Sequence, residues 1–146
     1  MIYQLSTASH DLVLSRHFIE TACEPALHSA LVEHLRERGI QVRKAADTNS
    51  DQHIPVLPVH AKFYAFVVLR HHKYSATRLS KAQSLDASLV RVRFLDIDSD
   101  SNGTWTWCGV IEDLVELTHQ GQTAVLAHMR WLVPWEGVIL DDRDIE

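Results

Sequence analysis

Residues 104–117, TWTWCGVIEDLVEL, and residues 123–133, TAVLAHMRWLV, decide the fold class. Both read as strands, and the THQGQ between them places Gly121 where a tight hairpin needs a residue tolerant of positive φ. Upstream, LVRVRFLD at 89–96 sets Leu89 or Val90, Val92 and Phe94 against Arg91 and Arg93, the pattern of a strand with one basic, solvated face. AKFYAFVVLR at 61–70 is dense in aromatic and β-branched residues and reads as one strand buried on both faces. No helix-length segment of polar–apolar periodicity separates these strands, although HHKYSATRLSKAQSLDAS at 71–88 is long and polar and could hold a helical turn. An antiparallel sheet or a small β-barrel is therefore expected in the C-terminal half, rather than βαβ units.

Ahead of that half, the sequence predicts an amphipathic helix from Pro25 to Arg38. Pro25 suits the first helical position and Glu24 complements the positive end of the dipole. Thr21 with Glu24 has the spacing of a capping box. Leu27, Ala30, Leu31, His34 and Leu35 share a face, and Gly39 stands where a left-handed residue ends a helix. The segment IQVR at 40–43 suggests a short strand, IYQL at 2–5 another, and residues 10–20 a helix opening at Ser9. Residues 45–58, polar and then broken by two prolines, read as a linker. The expectation is an α+β fold with an N-terminal amphipathic helix. It is a single domain over 1–146, with a helical N-terminal portion at 1–44, a linker at 45–58 and a β-rich portion at 59–140.

Length and composition narrow the class. A chain of 146 residues with 46% hydrophobic and 23% charged side chains has the make-up of a globular domain. Its two cysteines, Cys23 and Cys108, form no C-x-x-C pair, so reduced thiols are expected rather than a disulfide framework or a zinc site. No secretory leader is visible, and the longest apolar run, Phe63 to Leu69, is far shorter than the ~20 residues that a bilayer requires. An intracellular location, nuclear or cytoplasmic, is the resulting expectation.

The net charge of −5 is unevenly spread. Residues 1–35 carry −3, residues 36–93 carry +7 and residues 94–146 carry −9. Such asymmetry marks an interaction surface, or two blocks that neutralise each other across the fold.

Candidate chemistry is sparse. In DIDSDSNG, Asp98, Asp100 and Asn102 have the spacing of the first half of a calcium loop, yet the twelfth position is Gly109 rather than glutamate, so a polar hairpin turn competes. Ten histidines invite a metal reading, but no H-x-x-x-H occurs, and His34 on the helix's apolar face is expected to be a satisfied core histidine. No G-x-S-x-G or cysteine-nucleophile signature is present, and Cys108 beside Trp107 in an apolar strand is expected to be inert. Trp105 and Trp107 would share a sheet face. With Trp131, Trp135 and Tyr64 or Tyr74 they offer either a cage or stacking platform, or core packing. Arg70, His71, His72, Lys73, Arg78 and Lys81, followed by Arg91 and Arg93, form a basic stretch suited to phosphates or to the acidic last third.

Residues 60–135 resemble a divergent bromo-adjacent-homology (BAH) module of the chromatin-protein or fungal transposon-associated type. SLVRVRF, GVIEDLVEL and AVLAHMRWLVP carry the likeness, the last ending in a basic–Trp pair. The resemblance implies a protein- or chromatin-binding role without catalysis. The leading expectation is thus a non-enzymatic, cofactor-free binding module. It would meet a protein, or else nucleic acid, through its β-half, with Arg70 to Lys73, Arg78, Lys81, Arg91, Arg93, Trp105, Trp107 and Trp131 as candidate contacts. A structural or homo-oligomerisation domain is the alternative, and a small hydrolase without a recognisable motif is the third reading.

Overall fold

A computed structural model describes residues 2–5, 12–47, 52–79, 89–95 and 104–132; for 91–95 and 104–107 the description is of the backbone. The elements run β1 (Ile2–Leu5), β2 (Leu12–Leu14), β3 (Phe18–Ala22), α1 (Pro25–Glu37), β4 (His60–Tyr64), β5 (Phe66–Leu69), β6 (His72–Ser75), β7 (Leu89–Leu95), β8 (Thr104–His119) and β9 (Gln122–Trp131). They form two antiparallel sheets. The larger has the order β1-β9-β8-β4-β3, with β7 paired to the first half of β8; the smaller is β2-β5-β6. Neither sheet closes, so the barrel alternative is set aside.

The helix lies at Pro25–Glu37, but the first 44 residues are not a helical portion. β1 is an edge strand on β9, and residues 12–22, where a helix was expected at 10–20, form β2 and β3. These short pieces carry little periodicity of their own and become strands by pairing with long partners, which is a tertiary choice. The 61–70 segment also divides. Its chain turns at Ala65, leaving β4 in one sheet and β5 in the other, while the Ser15 amide donates to Phe66 O (3.1 Å) and the Ala76 amide to Ala65 O (2.9 Å) across the corner.

Two cores result, one on each face of the larger sheet. On one side α1 packs Leu27, Leu31, Val32 and Leu35 onto Phe63, Val115, Leu117 and Leu126. On the other, Val67 with Leu12, Leu14, Leu69 and Tyr74 of the smaller sheet covers Tyr64, Leu114, Val125 and Ala127. The helix ends in a Schellman arrangement, with the Gly39 amide on Arg36 O (2.9 Å) and the Ile40 amide on Leu35 O (3.0 Å), and Gly39 at φ 78° supplies the left-handed residue. At the other end no side chain caps it. Thr21 is held in β3 opposite Ala61 and the Glu24 carboxylate is taken by Arg78, so the expected capping box does not form.

The IQVR segment makes no regular strand; Arg43 alone forms an isolated parallel bridge to Val56. That bridge ties the expected linker into the fold. Leu57 is fully buried between α1 and the sheet, so the end of 45–58 is core rather than a join. Leu57→Ala should accordingly cost about 2–5 kcal/mol, as for a buried leucine, when measured by urea denaturation; a change of a few tenths would mean that this segment is a true linker.

Candidate functional site

The polar pair Glu112–Asp113 interrupts the apolar run of β8, and the pairing with β9 shifts register there, Ile111 facing Met129 and Asp113 facing His128. This is a β-bulge. Ile111 and Leu114, three residues apart, would point to opposite faces of a regular strand, yet both lie in the core under the smaller sheet. The extra residue thereby turns Glu112 and Asp113 together toward the helix side, where His128 and Arg130 of β9 meet them. His128 Nδ1–H donates to Asp113 Oδ2 at 2.9 Å, and Arg130 Nε to Glu112 Oε1 at 3.0 Å.

Arg78, in the turn after β6, closes the cluster. Its guanidinium lies 2.9 Å from Glu24 Oε2, 3.4 Å from Glu112 Oε2 and 3.6 Å from Asp113 Oδ1. The amides of Thr77 and Arg78 donate to the carbonyls of Ile111 and Glu112 at 3.0 and 3.3 Å, so backbone and side chain together hold the bulge. Burial works against the Arg78 charge, but Asp113, then Glu24 and Glu112, outweigh it and lift its pKa above the ordinary arginine value. Asp113 is 4% exposed, and its carboxylate is tolerable there because Arg78 and His128 both contact it.

Three chemical readings of this cluster can be weighed. Glu112, Asp113 and His128 bring ligand atoms within 4.8 Å of one another, the composition of a divalent-metal site. Both Glu112 oxygens, however, already meet guanidinium groups, so a cation would have to displace Arg130 and Arg78. The Asp113–His128 pair has the form of the carboxylate–imidazole half of a triad. Among the described residues no hydroxyl or thiol is hydrogen-bonded to His128, and burial, then the Asp113 charge, pushes the nearby Cys23 thiol up, keeping it protonated and un-nucleophilic. What remains is a structural ion network at the start of α1.

The expected contact residues scatter. Arg78 is consumed in the network. Arg70, His71, His72 and Lys73 stay together at the exposed β5–β6 hairpin. Arg91 and Arg93 sit two apart on β7, opposite Cys108 and Thr106, and Trp105 and Trp107 lie on β8 opposite Phe94 and Val92. Lys81, Asp98, Asp100, Asn102 and Trp135 fall outside the described residues.

Three aromatics of the cage reading, Tyr64, Tyr74 and Trp131, pack into the core under the smaller sheet instead. A Cβ at Gly109 would stand 3.0 Å from both Met129 Cε and Trp131 Cε3, so glycine there is what lets the Trp131 ring lie against β8. His28, not His34, is the satisfied core histidine, its Nε2 lying 3.1 Å from Leu57 O; the Nε2 of His34 is buried without a partner. No helix among the described residues is long and apolar enough to cross a membrane. No family model, curated protein or solved structure matches the chain.

Sequence reasoning passed over the bulge. Its signal was the adjacent pair ED inside GVIEDLVEL, which breaks period-2 alternation. Arg78→Leu should destabilise the fold by about 3 kcal/mol in urea denaturation, since it strands the buried Asp113 charge. Zinc or a chelator should leave the unfolding midpoint of the native chain unchanged.

The stability should also depend on pH through His34. Burial first, then Arg38, lowers its pKa from the ordinary 6.5. The unfolded chain therefore takes up the proton first, and stability falls as pH drops below about 6.5. His34→Leu should flatten that limb of a stability–pH curve.

Proposed function

We propose that this protein is a binding module that meets an acidic protein partner through the β5–β6 hairpin and the outer face of the smaller sheet. The observation that carries the reading is the hairpin turn itself. Arg70 (φ 49°) and His71 (φ 68°) are both left-handed, the geometry of a type I′ turn that ordinarily takes Asn-Gly. Holding two non-glycine residues there costs on the order of 1 kcal/mol each. Such strain at an exposed basic tip fits a turn kept for its side chains rather than for its stability.

Electrostatics point the same way. Lys62 and Arg78 of the basic middle third pair with Glu116, Glu112 and Asp113 of the acidic last third, and Arg36 pairs with Asp47. Arg70 has no carboxylate partner among the described residues, and Lys73 lies over the Phe66 ring at 4.3 Å. Beside this tip, Val13, Val68 and Lys73 are directly opposite one another, so they share the outer face, where Val13 is 59% exposed. An apolar strip with a basic rim suits a protein segment that mixes acidic and apolar residues better than a nucleic-acid backbone. In the chromatin or mobile-element setting that a BAH-like relationship implies, the charge selects an acidic surface over a basic histone tail.

The double substitution Arg70→Asn with His71→Gly tests this. It should stabilise the fold by about 1–2 kcal/mol while weakening binding to a labelled peptide of alternating glutamate and leucine by roughly tenfold at low salt. Unchanged affinity, or binding of a DNA duplex but not of the peptide, would overturn the reading.

A self-association reading rests on a different feature. β3 is an edge strand with every residue exposed, Phe18 and Ile19 among them. Light scattering should show a concentration-dependent dimer that Ile19→Lys abolishes if that edge pairs with a second copy, and a monomer throughout if it does not.

A further inference from the structure

We propose that β3 pairs with β3 of a second copy, antiparallel about a two-fold axis at Ile19, and that Arg16 and Glu20 set this register. The inference rests on the self-association reading of the β3 edge and specifies how the two copies meet.

β3 ends the order of the larger sheet, and all five of its residues are exposed. The ladder to β4 determines which of its backbone groups stay open. The Cys23 amide donates to Val59 O at 2.7 Å, next to the pairs that run from Ala22–His60 to Phe18–Tyr64. Hydrogen-bonded pairs alternate along an antiparallel ladder, so Thr21 and Ile19 also bond toward β4. Phe18, Glu20 and Ala22 turn their amides and carbonyls outward, the row that an added strand would use.

A two-fold dimer sets a patch against itself, so the patch must be its own complement. The segment RHFIE at 16–20 has this property, because a basic residue leads and an acidic one follows. Arg16 and Glu20 are both exposed, and neither has an ion-pair partner among the described residues. Antiparallel pairing brings the basic end of each copy toward the acidic end of the other.

Two centres keep outward-facing residues opposite each other with most of the strand engaged. A two-fold at Glu20 pairs the whole strand but sets the two Glu20 carboxylates directly opposite, which is unfavourable. A two-fold at Ile19 sets Phe18 opposite Glu20 of the second copy and the two Ile19 side chains opposite each other. That central pair is of the non-hydrogen-bonded kind, in which side chains lie closest, and it covers a residue that is 51% exposed. Glu20 of the second copy then faces Phe18, whose ring carries Lys62 Nζ 4.9 Å from its centroid, and Arg16 stands two residues before Phe18. The carboxylate gains cationic neighbours in place of a second carboxylate. A five-residue edge buries far less than the ~1,200 Å² of a stable interface, so the dimer is weak, with a Kd of about 0.1 mM or above.

Sedimentation equilibrium on the full chain up to about 1 mM tests the pairing with Arg16→Glu, Glu20→Arg and their equimolar mixture. Each variant alone sets like charges together and should self-associate about tenfold more weakly than the native chain. The mixture restores both charge pairs with their signs exchanged between copies, so a heterodimer of near-native affinity should form. A merely structural effect of either substitution would not be rescued by mixing. Glu20→Gln separates the two centres, since it should weaken a dimer centred on Ile19 and tighten one centred on Glu20. Tighter association of Glu20→Gln, or a mixture no stronger than its components, would overturn the proposed pairing and leave the β3 edge reading standing. A native chain that stays monomeric throughout would overturn both.

Discussion

Arg78 holds the β-bulge of β8 against the start of α1, and the two-sided packing of the larger sheet depends on that hold. The extra residue at Glu112 lets Ile111 and Leu114 enter one core while Val115 and Leu117 enter the other. Without the bulge one half of β8 would present its apolar residues to the wrong layer. The same shift turns Glu112 and Asp113 toward the helix side, where Arg78, Arg130 and His128 make their charges tolerable. Fold and charge network are one device.

Among the described residues, folding brings part of the basic middle of the chain onto part of its acidic last third. Basic side chains of the middle third meet carboxylates of the last third at Lys62–Glu116 and at Arg78 with Glu112 and Asp113. On the exposed β5–β6 hairpin, Arg70 and Lys73 have no carboxylate partner among the described residues. Such a side chain differs from Arg78, whose guanidinium is consumed at 2.9–3.6 Å in a network.

The two ends of α1 differ in the same sense. At its start every charged group of the cluster has a partner of opposite sign, which is why neither a metal nor a catalytic reading is needed there. Toward its end the His34 Nε2, and in the β8–β9 hairpin the His119 Nε2, are buried with no hydrogen-bond partner among the described residues.

The sequence by itself determined what depends on neighbours along the chain. The helix bounds at Pro25 and Gly39, the Gln120–Gly121 hairpin and the β-character of 89–95 and 104–131 all follow from local propensity, capping and turn chemistry. Only the tertiary structure decided the rest. β1, β2 and β3 are too short to show a period and exist through their partners; the corner at Ala65 and the burial of Leu57 depend on two layers meeting. Which histidine is satisfied, His28 rather than His34, depends on a Leu57 carbonyl 29 residues away. The charge cluster joins Glu24, Arg78, Glu112 and His128 across separations that no local pattern encodes. A hydrophobic or turn signal acts over a few residues, whereas the pairing of polar groups is set by whichever surfaces the packed layers bring together.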